Sequence, residues 1–167
     1  VDTEDSNWAF DPVRRQYYFH RFFSHQPDLN FENPAVREAT LNVVRHWMDL
    51  GVDGIRLDAI PYLFESEEGN GEGEPKTHEF LKEMNAAAFS EEGRLTVGEM
   101  SSTTVEHCVQ YTREDSHELA MTFSFHHLKV DYPNGEKWTD APMDLLALKD
   151  VLSHWQVGMA EGGGWNA

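Results

Sequence analysis

Val52-Asp53-Gly54-Ile55-Arg56-Leu57-Asp58 decides the fold. In an extended strand alternate residues share a face. Gly54, Arg56 and Asp58 therefore lie on one side, and Ile55 and Leu57 on the other. One face is apolar, as if covered by helices. The other carries a small residue, a cation and a carboxylate in sequence. Burying unpaired charge is costly, so Arg56 and Asp58 read as a pair, of the kind a site uses. A second stretch, Leu95-Thr96-Val97-Gly98-Glu99-Met100, has the same character. Leu95, Val97 and Glu99 share a face, with Glu99 at the C-terminal end. A third strand, Leu119-Ala120-Met121-Thr122-Phe123-Ser124-Phe125, runs into His126-His127.

Helical patterns separate these strands. Asn33 suits a cap and Pro34 the first helical position. Val36, Thr40, Val43, Val44, Trp47 and Leu50 recur at helical spacing, and Gly51 suits the helix end. Thr77 is expected to cap a helix through about Phe89, with Phe80, Leu81, Met84 and Ala88 inward. Thr103 and Glu106 have the spacing of a capping box, opening a short helix in which Cys108 is a small buried hydrophobe. A last helix is expected from about Pro142 to Gly158, with Leu145, Leu148, Val151, Leu152 and Trp155 inward. Another strand could begin within Gly162 to Ala167. Residues 1–31 read as irregular structure, with a turn at Asp11-Pro12. Tyr17-Tyr18-Phe19 and Phe22-Phe23 supply aromatics to pack under a long loop.

Strict alternation of helix and strand implies a parallel sheet with right-handed crossovers. No Gly-rich phosphate loop follows any strand, which disfavours a nucleotide-binding doubly wound sheet. The alternative is a (β/α)8 barrel, whose chemistry sits at the C-terminal ends of the strands, where Asp58 and Glu99 fall. Such a barrel takes about 250 residues and eight strands. The chain has 167 residues and shows three clear strands, so the expected fold is α/β, a partial TIM barrel.

Composition narrows the function. Against 30 Asp and Glu stand 13 Lys and Arg, a formal net charge of −17. That acidic balance argues against nucleic-acid phosphates and anionic lipid as partners. No apolar run approaches a membrane span of roughly 18 residues. The single cysteine excludes an internal disulfide framework and fits a reducing compartment. With no basic segment leading an apolar one at the N-terminus, the expected location is the cytoplasm. Glu65, Glu67, Glu68, Glu72 and Glu74 stand among glycines in the loop 61–76. Their spacing departs from the alternating pattern of calcium loops, so a solvated acidic loop is favoured. His20, His25, His126 and His127 lack the helical ligand spacing of a metal site.

Two carboxylates on neighbouring strand ends can serve as nucleophile and acid/base of a retaining glycosidase, which holds them about 5–5.5 Å apart. Arg56 on the face of Asp58 favours its ionised, nucleophilic form. Glu99 follows Val97 and Gly98 with no cation near it in sequence, a setting that keeps a proton available to donate. Structural Asp and Glu at strand ends are also common.

The residues carrying the pair are more specific. Gly54-Ile55-Arg56-Leu57-Asp58-Ala59 resembles the nucleophile strand of the alpha-amylase superfamily of retaining glycoside hydrolases, and Val97-Gly98-Glu99-Met100 its acid/base strand. Gln26-Pro27-Asp28-Leu29-Asn30 resembles the segment that, in the oligo-1,6-glucosidase group, closes the small domain inserted after the third barrel strand. The resemblance covers essentially the whole chain. It implies that Asp58 is the nucleophile, Glu99 the acid/base and Arg56 the orienting partner of Asp58. It makes 1–31 the end of the inserted domain and 32–167 a partial catalytic barrel, from the third helix to the sixth. It places His126 at the rim of the sixth strand, as a substrate-binding candidate or a satisfied structural histidine.

Within the group the resemblance divides. Residues 1 to about 84 are similar to trehalose synthases, on Tyr17 to His25 and on Asp58-Ala59-Ile60-Pro61-Tyr62-Leu63-Phe64-Glu65. From about Asn85 the chain is similar to trehalose-6-phosphate hydrolases and oligo-1,6-glucosidases, on Gly98-Glu99-Met100-Ser101-Ser102-Thr103 and on Met121 to Tyr132. Trehalose synthases usually have Ala-Glu-Ala where this chain has Gly98-Glu99-Met100. Ala59 after the nucleophile is associated in this group with α-1,4 over α-1,6 preference.

The resemblance implies hydrolysis of small α-glucosides through a glucosyl–Asp58 ester, with isomerisation of maltose to trehalose as the alternative. No cofactor is expected here, with calcium possible elsewhere in a full-length enzyme. The family's third catalytic carboxylate, on its seventh strand, is not among these residues, so the segment is expected to be inactive and poorly soluble alone. A non-catalytic barrel relative is the competing class, and the presence of both Asp58 and Glu99 argues against it.

Overall fold

The computed structural model describes residues 4–65, 71–137 and 139–167. Glu67 and Glu68 of the acidic loop lie outside the described residues. The chain divides into two compact units, Val1–Ala39 and Thr40–Ala167.

In the first unit, β1 (Trp8–Asp11) and β2 (Gln16–Phe19) form an antiparallel hairpin. This corrects the expectation of irregular structure. Asp11 organises the turn, its Oδ1 accepting the Val13 N–H at 2.9 Å, while Arg15 adopts a left-handed φ of 56°. Trp8 faces Phe19 and Phe10 faces Tyr17 across the strands, so the aromatics pair with each other as cross-strand neighbours. The Asn7 side-chain amide donates to the His20 and Arg21 carbonyls at 2.9 and 3.2 Å.

Helix α1 (Pro34–Asp49) starts as the sequence predicts, with Asn33 Oδ1 accepting the Ala35 N–H at 2.9 Å. Its face is different. Leu41, Val44 and Met48 are buried, whereas Val43, Trp47 and Leu50 are exposed. The helix carries two apolar stripes about 120° apart at 3.6 residues per turn, and of the expected face only Val44 is buried.

The second unit is built on three parallel strands in the order β3 (Gly54–Leu57), β4 (Leu95–Met100) and β5 (Met121–Ser124). Arg56 pairs with Val97, Leu57 with Gly98, and Glu99 with Phe123. Beyond β5 the chain pairs again in parallel, Thr122 with Asn166. The Ala167 N–H donates to the Thr122 carbonyl at 2.8 Å. This isolated pairing lies within Gly162 to Ala167, where another strand had been expected.

Helices α2 (Pro75–Met84), α3 (Val105–Thr112) and α4 (Leu145–Glu161) alternate with these strands. Pro75 opens α2, which continues as a wider π turn through Asn85–Phe89. Thr77 is therefore inside the helix and fully buried, and does not cap it. The cap of α3 is Thr104, whose hydroxyl accepts the His107 N–H at 3.3 Å; the spacing of Thr103 and Glu106 had suggested its neighbour. Asp144 caps α4, its Oδ1 accepting the Leu146 and Ala147 N–H groups at 3.0 and 2.9 Å. Trp155 and Met159 are the buried residues of α4, with Val151 packed beside the core, while Leu145 and Leu152 stay exposed. The expected inward face holds over its last turns only.

Ile60, Leu81, Met100, Val105, Cys108, Tyr111, Leu119, Trp155 and Met159 form one core on the helix-covered side of the sheet. Thr96, Gly98, Met100, Thr122 and Ser124 point into it from β4 and β5 and are buried. Helices α3 and α4 approach closely because Gly158 and Gly162 carry no Cβ. An added carbon would stand 2.8 Å from Val105 Cγ1 and 2.6 Å from Val109 Cγ2, respectively.

Candidate active site

The opposite face of the sheet carries Gly54, Arg56, Leu95, Val97, Glu99, Met121 and Phe123, as alternation from the paired positions requires. Asp58 follows β3 directly, and Glu99 is the penultimate residue of β4. Both acids thus stand at the C-terminal ends of adjacent parallel strands.

Arg56 joins them. Its Nη1 donates to Asp58 Oδ1 at 2.5 Å, and its Nη2 is paired with Glu99 Oε2. One guanidinium spans both carboxylates, so the two acids face the same side of the sheet and are held within its width. The guanidinium carbon also lies 5.7 Å from the centre of the Phe123 ring, within cation–π range. Asp58 is largely open to solvent, with 72% of its side chain exposed, whereas Glu99 is down to 16%. The expectation of a Glu99 remote from any cation is corrected. Register places Arg56 beside Val97, two residues before Glu99, and a long guanidinium reaches across that step.

Ala59, immediately after Asp58, takes a left-handed conformation, φ 48° and ψ 39°. That backbone is unfavourable for a residue with a Cβ. It turns the chain into a short 3-10 segment, Ile60–Tyr62, whose first two residues are buried. The turn follows Asp58 directly, and burial of Ile60 and Pro61 anchors the segment against the core.

His126 begins the 3-10 turn His126–Lys129 after β5. Its Nδ1 shares a hydrogen bond with Ser124 Oγ at 3.2 Å, and its ring lies 4.9 Å from that of Trp155 in α4. Burial, aided by Lys129, His154 and His127, pushes the imidazole below its ordinary value, so it is neutral near pH 7. The structure therefore brings Arg56, Asp58 and Glu99 together and places His126 at the same end of the sheet, packed toward α4. Phe123 beneath Arg56 went unread in the sequence; its position opposite Glu99 was implicit in the strand alternation, once the register is known.

Among the described residues no three His, Cys, Asp or Glu side chains are placed to share a metal ion. Nor is any helix among them long and apolar enough to cross a membrane. A cleft of about 400 Å³ lined by Phe89, Arg94, Thr96, Arg113, Glu118 and Trp165 opens by the start of β4. It lies at the far end of the strands from the carboxylates, the end that in barrels serves stability.

Residues 2–167 match the alpha-amylase catalytic domain family. The chain belongs to that family. Trehalose-6-phosphate hydrolase of Bacillus subtilis (strain 168) is 53% identical over 97% of this chain. Its Escherichia coli (strain K12) counterpart is 49% identical over the same share. Trehalose synthase/amylase TreS of Mycolicibacterium smegmatis is 54% identical over 75% of the chain. Among solved structures, Bacillus licheniformis trehalose-6-phosphate hydrolase superposes with a TM-score of 0.87 at 48% identity over 96% of the chain. The chain spans about 31% of the length of the two trehalose-6-phosphate hydrolases and of that structure. The three parallel strands and their helices are accordingly a segment of the family's barrel.

Proposed function

We propose that the polypeptide carrying this chain is a retaining α-glucosidase-type enzyme. It hydrolyses small α-glucosides: α-1,4- or α-1,6-linked glucose oligosaccharides, or trehalose 6-phosphate. The observation that carries this reading is the shared guanidinium of Arg56, which sets two carboxylates from adjacent strand ends side by side at the catalytic end of a barrel segment.

In the first step the Asp58 carboxylate attacks the anomeric carbon. The bond to the leaving oxygen breaks as Glu99 delivers its proton to that oxygen. A glucosyl–Asp58 ester results. In the second step Glu99, now ionised, takes a proton from water, whose oxygen attacks the same carbon and frees Asp58. Arg56 stabilises the Asp58 carboxylate before attack and again as hydrolysis of the ester frees it. Glu99 leaves Arg56 as substrate enters, which frees it to donate to the leaving oxygen. Two carboxylates complete this cycle without a cofactor. Cys108, buried and with its thiol pushed up by burial, accords with a reducing, cytoplasmic setting.

The chain's similarity to trehalose synthase/amylase TreS supports a second outcome from the same intermediate. If retained glucose replaces water as acceptor, maltose becomes trehalose. The hydrolytic reading is favoured because the trehalose-6-phosphate hydrolases match over 97% of the chain.

The test is Asp58→Asn and Glu99→Gln in the full-length polypeptide. Each should lower kcat by several orders of magnitude, and near-normal turnover by either variant would overturn the assignment. Incubation of the unmodified enzyme with maltose separates the outcomes: glucose alone for a hydrolase, trehalose for an isomerase.

A further inference from the structure

Both strands end in loops that run away from the sheet, and one side chain ties those loops together. Tyr62 stands four residues after Asp58, at the end of the turn that the left-handed Ala59 begins. Its phenol donates to Glu72 Oε1 at 2.7 Å. It also shares a 2.9 Å hydrogen bond with Ser101 Oγ, two residues beyond Glu99. With the phenol proton on Glu72, its oxygen accepts from Ser101. The contact thus joins the turn that follows Asp58 to the loop that leaves β4 two residues after Glu99, across 39 residues of sequence.

We infer that Tyr62 is a positioning residue, which holds Glu99 at the leaving oxygen by locking the Ser101 loop to the Asp58 turn. The inference rests on the roles proposed for Asp58 and Glu99. Its physical basis lies in what happens to Arg56. In the substrate-free arrangement Arg56 holds both acids. A Glu99 that carries a proton loses its ion pair with the guanidinium, so during acid catalysis its placement depends on how the end of β4 is held. Asp58 keeps its own bond to Arg56 in that state. Loss of the Tyr62 tie should therefore disturb proton delivery far more than nucleophilic attack. Small displacements of a general acid are costly, because proton transfer needs hydrogen-bond geometry.

The experiment uses Tyr62→Phe in the full-length polypeptide, which keeps the ring and removes the hydroxyl. It compares a disaccharide with an aryl α-glucoside whose phenolate leaves without protonation. The expected result is a fall in kcat/KM, which reads the steps up to ester formation, of about tenfold or more on the disaccharide. On the aryl glucoside kcat/KM should change by less than about threefold. Ser101→Ala should give the same split, and the double variant no more than either single one. Equal losses on both substrates, or no loss on the disaccharide, would overturn the inference. Should Tyr62→Phe fail to fold, Ser101→Ala decides alone by the same criterion. Asp58→Asn and Glu99→Gln run in parallel keep the two readings apart. Full activity in these discards the carboxylate roles, whereas their inactivity beside an unaffected Tyr62→Phe discards the tie alone.

Discussion

Gly98→Ala is the most informative single change in the strand that carries Glu99. Gly98 faces the helix-covered core, and a Cβ built there stands 2.6 Å from Leu119 Cδ1, 3.5 Å from Thr122 Cγ2 and 3.8 Å from Ile60 Cγ1. The last two are ordinary contacts. The first is about 1 Å too close, since carbons rest at about 3.5–4.0 Å. Leu119 is itself a buried member of the core, so its methyl has little room to retreat. Overpacking of this kind costs about 1–3 kcal/mol. Replacing a mid-strand glycine returns about 0.5–1 kcal/mol of backbone entropy. The net expectation is a loss centred on about 1 kcal/mol and reaching at most about 2.5 kcal/mol, read by urea unfolding of the full-length polypeptide. Leu119→Ala alone should cost about 2–5 kcal/mol. In the double variant the two side chains no longer collide, so the losses should fall short of their sum by about 1 kcal/mol or more. Activity tells which partner moves. If Leu119 yields, kcat is retained; if β4 yields, Glu99 shifts, and a displacement of about 1 Å is worth up to about a hundredfold in rate. A Gly98→Ala protein as stable as its parent, or strictly additive losses in the double variant, would refute the close approach.

Tyr111→Phe should leave the fold as stable or raise its stability by about 1 kcal/mol, because the buried Tyr111 hydroxyl has no hydrogen-bond partner among the described residues; a clear fall in melting temperature would contradict this. His126 carries a folded value below its unfolded one of 6.5, chiefly through burial. The unfolded chain therefore takes the proton first, and this stability is lost as pH falls from 6.5 toward the folded value. Melting temperature against pH should drop less steeply in that window for His126→Gln, and parallel curves would count against the prediction. Ala59→Gly should be neutral or stabilising by up to about 1 kcal/mol, and Ala59→Val destabilising, since a β-branched residue tolerates a left-handed φ worst; equal unfolding midpoints for the two would remove the strain assigned to that turn. Asp144→Ala removes the acceptor of two N–H groups at the start of α4 and should cost about 1 kcal/mol in the same assay.

The features legible in the sequence were those written in local patterns. β4 has the bounds its alternation suggests, Leu95–Met100, because its core-facing positions, Thr96, Gly98 and Met100, are distinct from the Glu99 side. Pro34 after Asn33 marked α1 correctly. The equivalent mark for α2, Pro75 after Glu74, was outweighed by Thr77, a residue with two uses: a hydroxyl that caps and a small side chain that packs. The hairpin was missed because Tyr17, Tyr18 and Phe19 are aromatic on both faces, so no alternation shows. Helix α1 misled in the opposite way, since Val43, Trp47 and Leu50 of its regular apolar spacing are exposed. Asp58 and Glu99 were singled out as candidates from the residues around them. The Arg56 bond to Glu99 was not, because it spans 43 residues and depends on register, which no single strand encodes.

Register is also where the fold and the proposed chemistry meet. A slip of one residue between β3 and β4 would turn Glu99 into the helix-covered core and bring Gly98 to the Arg56 side. Three observations oppose that slip. Leu119 lies so close to position 98 that a larger side chain turned inward there would collide with it. Gly54, paired with Leu95, has its own place filled by the Leu95 carbonyl, 2.8 Å from where a Cβ would stand. Burying the Glu99 carboxylate among Ile60, Leu119 and Met100 would cost several kcal/mol with no cation to meet it. Two glycines and one apolar layer thus specify which way Glu99 points, and Arg56 then has only one arrangement that satisfies both acids. The acid pair is in this sense a product of the core behind it, and core substitutions at 98 and 119 should tune activity without touching substrate.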